Sequence, residues 1–187
     1  ISQKIVRAVK ETVNIPVIVK LTPEGADPLI MAETAAKSGA DALVATARFQ
    51  GLIIDPETMR PPLWGGFGGY GGPWMVPLGC KWVAKLMEKK LGVPIIGSAG
   101  IMGSMDAIRY VLAGAVAIQT CTAVIVKGYN VIRQMVNGIE DWMRRKGFES
   151  LGDFRGQALR NIIPFEKLDR VSAYKSVIDT SLCIGCR

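Results

Sequence analysis

Apolar and polar positions along this chain alternate between two periods. Four short runs, at 16–21, 42–46, 93–97 and 115–119, are nearly continuous in apolar and β-branched residues. Runs of that length and composition read as parallel strands buried on both faces. Before and between them, apolar residues recur at i, i+3 and i+4 over 2–13, 27–38, 76–91, 104–112 and 129–146. That spacing predicts helices with one buried face. Gly39, Gly92 and Gly114 each end a helical pattern and lead directly into an apolar run, as a left-handed helix stop does where a strand follows. Repeated βα units predict an α/β fold with a parallel sheet. Four strands do not close an eight-stranded barrel, so an open doubly wound sheet also satisfies the pattern. The loop chemistry favours the C-terminal half of a (β/α)8 barrel of the TIM type.

The pattern loosens after Gly147. A short helix is expected over 150–159, from Leu151, Phe154 and Ala158, followed by a basic stretch with little periodicity. Val177-Ile178-Asp179 then reads as a short strand entering Cys183-Ile184-Gly185-Cys186. The expected organisation is a half-barrel over 1–159, a linker over 160–176, and the start of a second unit over 177–187. The chain opens without methionine inside an amphipathic pattern, and its last Cys-x-x-Cys offers two of the four ligands a cluster or structural zinc takes. It is therefore expected to be an interior piece of a longer polypeptide.

Composition narrows the function classes. With 187 residues, 49% of them hydrophobic, the chain supports one core rather than two large ones. No apolar run approaches the roughly 20 residues of a membrane-spanning helix. Histidine is absent, which excludes a histidine-based triad within these residues. Cys80 and Cys121 stand alone in apolar surroundings, so a disulfide framework is not expected and a cytoplasmic setting is. The formal charge of +7 suits a phosphate-bearing ligand, an acidic partner or nucleic acid. Lys89-Lys90 and Arg144-Arg145-Lys146 fall at helix ends, where cations complement the dipole. No aromatic residues interleave with them, so nucleic acid is not an expected partner, and without a long apolar run neither is a membrane.

Three segments carry candidate chemistry. In (β/α)8 enzymes the last strand–helix loops build the phosphate site. Here two consecutive strands end in Gly97-Ser98-Ala99-Gly100 and Gln119-Thr120-Cys121-Thr122-Ala123. Small residues there let backbone N–H groups approach phosphate oxygens, though tight packing of the turns explains them too. Lys20 ends an otherwise apolar strand, at a position that faces the mouth of a barrel or snorkels to solvent. Residues 60–74 combine glycines with Trp64, Phe67, Tyr70 and Trp74. That combination fits an ordered loop laid over a flat ligand, or a disordered insertion. Asp55 and Glu57, next to prolines, read as turn residues.

Together these segments resemble the dihydroorotate dehydrogenase superfamily, most closely its dihydropyrimidine dehydrogenase branch. The residues that carry the likeness are Val19-Lys20-Leu21-Thr22-Pro23, Gly39-Ala40-Asp41 leading to Ala45-Thr46, Gly68-Gly69-Tyr70-Gly71-Gly72, Gly97-Ser98-Ala99-Gly100-Ile101 and Gln119-Thr120-Cys121-Thr122-Ala123. The resemblance implies an FMN site. In it Lys20 contacts the flavin, steadying negative charge on the reduced ring, and Thr46 lies at the ring edge. Gly71 and Gly72 approach through their backbones, while Gly97, Ala99, Gly100, Cys121 and Thr122 surround the phosphate. Cys183 and Cys186 become the first ligands of a [4Fe–4S] cluster in a ferredoxin-like segment. The general acid/base of the family falls upstream of Ile1, so the catalytic residue is unknown.

One departure concerns substrate. The pyrimidine enzymes carry Asn-Thr after the residue matching Thr46, where this chain has Ala47-Arg48. Alanine does not read a pyrimidine edge, whereas Arg48 offers a fork for a carboxylate or phosphate. The expected function is hydride transfer between FMN and a C–C bond next to a carbonyl, with electrons relayed by iron–sulfur clusters. A small-molecule substrate, an electron-donor or acceptor subunit or domain, and an oligomer are the expected partners. The alternatives are an acidic non-pyrimidine substrate, a non-catalytic electron-transfer or scaffold subunit, and a zinc-ribbon tail on a non-flavin barrel.

Overall fold

The amphipathic stretch at the amino end forms the helix α1 (Ser2–Thr12), and the first apolar run forms the strand β1 (Ile18–Lys20). Asp27 caps the next helix, α2 (Pro28–Lys37), by accepting the Leu29 N–H at 2.8 Å, with proline in the first turn where its missing N–H does no harm. The strand β2 (Ala42–Val44) follows, then two short strands, β3 (Phe49–Gly51) and β4 (Gly68–Tyr70). A 3-10 turn (Pro73–Met75) leads into α3 (Val76–Glu88), β5 (Ile95–Ser98), α4 (Ser104–Leu112) and β6 (Ala117–Gln119). The remaining helices are α5 (Thr122–Lys127), α6 (Asn130–Lys146) and α7 (Leu151–Phe154). This computed structural model describes residues 2–62, 66–172, 177–179 and 181–183.

The four predicted runs pair in parallel in the order β1-β2-β5-β6. In register, Ile18 faces Ala42, Leu43 faces Ile95 and Ile96 faces Ala117. This is an α/β fold consistent with part of a (β/α)8 barrel. The central strand β2 is buried along its whole length, while β1 and β6, at the two edges, alternate exposed and half-buried residues. The main core joins Leu21, Leu43 and Ile95 of the sheet region to Val83, Leu86 and Ala107 of the helices. A second cluster seats Phe154 against Ile108 and Val111, with Trp142 edge-on at 4.9 Å.

Besides the unpredicted helix α5, two elements differ from the sequence reading. The glycine- and aromatic-rich stretch contributes an antiparallel ribbon, β3 against β4, pairing Phe49 with Tyr70 and Gly51 with Gly68. Trp64 lies outside the described residues. The other difference is at the carboxyl end, where Val177-Ile178-Asp179 is not a strand and its apolar side chains are exposed. A strand needs an edge to pair with, and no described segment offers one there. Asp55 behaves as the turn residue expected, accepting from Glu57 N and Thr58 Oγ1 at 2.9 Å each. The short helix expected over 150–159 is α7, closed by a Ser150–Asp153 capping box. The N–H groups of Gly156 and Ala158 then bond to the carbonyls of Val111 and Leu112 on α4. Every described residue beyond 159 is exposed.

Candidate functional site

The carboxyl ends of β1, β2, β5 and β6 open on a cavity of about 650 Å³. Lys20 enters it from the tip of β1, and Ala47 and Arg48 from the segment after β2. Gly69, Gly71, Gly72 and Met75 form a wall, while residues 98–101 and 119–122, with Ile125, supply the strand tips. Of the expected site residues, Lys20, Ala47, Arg48, Gly71, Gly72, Ala99, Gly100, Cys121 and Thr122 are thus brought together around one space. They come from positions up to 102 apart in the chain, which only the parallel βα order can gather at one end of a sheet.

Lys20 places its Nζ 3.4 Å from Gln119 Oε1, on the opposite edge strand. In a flat sheet β1 and β6 would stand three strand spacings apart, roughly 14 Å. Their side chains meet because the sheet curls, and the curl makes the cavity. Gln119 was not among the expected site residues. Its signal was available, since it is a polar residue ending an apolar strand, as Lys20 is.

Arg48 lies across the ribbon. Its Cδ would stand 2.6 Å from a Cβ at Gly69, so only glycine lets the arginine stem pass there. Gly100 has φ +75°, and a Cβ would come within 2.7 Å of the Gly72 carbonyl oxygen and 2.9 Å of Val76 N. Its glycine therefore lets the wall at 72–76 close against the tip of β5. Ala99 takes φ +87°, a backbone region that L-residues rarely adopt. Thr120 Oγ1 donates to the Ile101 carbonyl at 2.9 Å and ties the tips of β5 and β6 together.

Two expected residues stand behind the wall rather than in it. Thr46 is 1% exposed, and its Oγ1 donates to the Ser98 carbonyl at 3.0 Å, so it does not line the cavity. Gly97 is likewise absent from the lining; a Cβ there would run into the Tyr110 ring. Sequence position put both at strand tips but did not say which side of the tip each faces. Cys183 is exposed, and Cys186 lies outside the described residues. Among the described residues no group of three or more cysteine, histidine or carboxylate side chains converges as a metal site.

The charge of the site is one-sided. Lys20 and Arg48 are the charged residues of the described lining, and it contains no carboxylate. Two fixed cations, small-residue turns and the buried, apolar Met75 of the wall suit an anionic ligand with an extended apolar part. Cys80 is on the far side of α3 from this chemistry, in an outer groove with Lys81, Asp106 and Arg109. Burial pushes its thiol up to about 11.

A parallel sheet with helices packed against it and a cation-lined cavity at its strand tips marks an α/β protein consistent with part of a (β/α)8 barrel. The dihydroorotate dehydrogenase family profile matches residues 1–143. A Pyrococcus furiosus protein named dihydroorotate dehydrogenase B (NAD(+)), catalytic subunit, is 39% identical over 155 residues, covering 83% of this chain and 51% of its own length. The protein of the same name from Thermococcus kodakarensis shows the same identity and coverage. That of Methanothermobacter thermautotrophicus is 35% identical over 156 residues, with 83% and 51% covered. The chain belongs to the dihydroorotate dehydrogenase family. It spans about half the length of the curated relatives it matches.

Proposed function

We propose that this chain forms the flavin-binding part of a dihydroorotate dehydrogenase-type oxidoreductase. The observation that carries the reading is the cavity at the strand tips, holding Lys20 and Arg48 and no described carboxylate. Its residues fit FMN. A volume of about 650 Å³ is in the range of small-molecule sites, and the two cations suit an anionic cofactor together with an acidic substrate. The turn at 98–101 brings backbone N–H groups near the cavity through the left-handed conformations of Ala99 and Gly100. When bound, FMN supplies hydride chemistry at a CH–CH bond. Lys20 contributes fixed positive charge, the turns at 98–101 and 121–122 hold the phosphate, and Gly71 and Gly72 form the wall. Full-length protein stripped of flavin is expected to recover a flavin spectrum on adding FMN. Lys20→Ala weakens that binding, and Gly100→Asp abolishes it by adding bulk and negative charge at the tip of β5. A protein that takes up no FMN at micromolar concentration would rule the reading out.

Arg48 favours an acidic substrate, such as the dihydroorotate in the relatives' names. A charge-assisted contact to a carboxylate is worth about 1.5–3 kcal/mol. Arg48→Ala should therefore lower kcat/KM for dihydroorotate or another small carboxylate by roughly 10- to 100-fold, and leave any turnover of uracil unchanged. An unchanged kcat/KM for the acid would remove arginine from the site. Flavin reduced by a protein partner but by no organic substrate would select an electron-transfer or scaffold subunit instead.

The finer proposals rest on the sequence. Cys183-Ile184-Gly185-Cys186 after the barrel part supports the dihydropyrimidine dehydrogenase branch, a linker over 160–176 and a [4Fe–4S] segment from 177. These features also support an electron-transfer partner, subunit or domain, within an oligomeric, cytoplasmic assembly. Iron and sulfide analysis of the full-length protein tests the cluster, and zinc without sulfide would select a zinc ribbon.

A further inference from the structure

Tyr110 is fully buried on α4 and takes no part in the cavity lining. Its ring fills the space left by the missing Cβ of Gly97, and its hydroxyl fills that left by Gly79. A glycine inside α3 weakens that helix, so the room kept for one oxygen atom points to a use for it. The hydroxyl lies 2.7 Å from the Ser98 carbonyl oxygen and 2.6 Å from that of Ala99. One hydroxyl has one proton to donate. The other comes from Thr46, whose Oγ1 donates to the same Ser98 carbonyl at 3.0 Å. Two buried hydroxyls therefore serve two consecutive carbonyls. Burial also pushes the Tyr110 phenol above its ordinary range, which keeps it a donor.

The consequence follows from peptide geometry. In a planar trans peptide the C=O and N–H point in opposite directions. Holding the Ser98 and Ala99 carbonyls toward Tyr110 turns the N–H groups of Ala99 and Gly100 away from it. Both residues line the cavity, and among the described residues neither N–H has an acceptor. Successive N–H groups presented this way form an anion-binding concavity.

We infer that Tyr110 and Thr46 are positioning residues that aim the Ala99 and Gly100 N–H groups at the phosphoryl group of the flavin nucleotide. They thereby make the cavity prefer FMN to riboflavin. The inference rests on the flavin reading above. Its test titrates flavin-stripped full-length protein with FMN and with riboflavin, followed by flavin fluorescence, for wild type, Tyr110→Phe and Thr46→Val. Thermal unfolding of each apoprotein is recorded alongside. Wild type should favour FMN, and each variant should lose about tenfold in FMN affinity, the scale of one hydrogen bond to a charged group. Riboflavin affinity should hold. A variant that weakens both flavins equally, or that unfolds earlier while keeping the preference, overturns the positioning role. Wild type that binds neither flavin sinks the flavin reading and the inference with it, whereas a retained FMN preference in both variants sinks the inference alone. Thr46→Val reads the same carbonyl from another element, so a Tyr110→Phe protein that fails to fold still leaves the question answered.

Discussion

Gly79 and Tyr110 show how one residue's identity follows from another far away in sequence. In an exposed helix, replacing glycine by alanine gains about 1 kcal/mol. In α3 the new Cβ would overlap the Tyr110 hydroxyl, so Gly79→Ala is expected to destabilise instead, by about 1–3 kcal/mol as an overpacked core site. Tyr110→Phe should recover part of that loss in the double variant, a coupling that denaturant unfolding of the four proteins measures. Additive effects would mean that the two residues do not touch. Cysteine reactivity gives a second expectation at this scale. Cys121 is exposed on the cavity wall, whereas the Cys80 thiol is held up at about 11 by burial. The thiolate is the reactive form, so near neutral pH iodoacetamide should label Cys121 and leave Cys80 nearly untouched. Rate should climb at Cys80 only as pH rises toward its raised value. FMN should slow labelling at Cys121 and make no difference at Cys80, which peptide mass spectrometry reads directly.

Between elements, a few polar contacts fix where the βα units join. Asp41, at the start of β2, accepts from Lys10 Nζ of α1 at 2.8 Å and from Val17 N just before β1 at 2.6 Å. The Lys10 ammonium first, and the Val17 N–H second, hold its carboxyl below the ordinary aspartate range. A lowered folded-state value means that this tie is fully in place above the ordinary aspartate range and is lost as pH falls through the lowered value. Asp41→Asn should therefore unfold at lower temperature than wild type at about pH 7, and the gap should narrow as pH falls toward about 3. A gap that stays constant over that range would assign the loss to something other than charge. Element boundaries were largely readable, because glycine stops and apolar periods mark them. The ribbon β3–β4 was not, since Gly68 and Gly69 carry no side chains with which to show a period of two. The six-residue helix α5 was hidden by its Val124-Ile125-Val126 run, whose local preference is for strand. Val177–Asp179 failed in the opposite sense, having strand propensity and no edge to join.

Over the whole molecule, the sheet β1-β2-β5-β6 gathers residues 20, 48, 98–101 and 119–122 at one end. Most of that gathering was legible, because a parallel βα order puts every strand's carboxyl end on the same side. What the order does not give is the curl that lets Lys20 reach Gln119, or the facing of each tip residue. Among the described residues, no helix is long and apolar enough to cross a membrane.

The amino-acid order by itself determined the α/β class, the four strands, most of the helices and the segments that form the cavity, since these depend on local periodicity and on glycine at turns. Tertiary structure alone decided that Thr46 and Gly97 face the interior, that Gln119 meets Lys20, and that Tyr110 sits beneath the tip of β5. Those outcomes depend on which side of a strand end packs against a helix layer, and no one-dimensional pattern encodes that side.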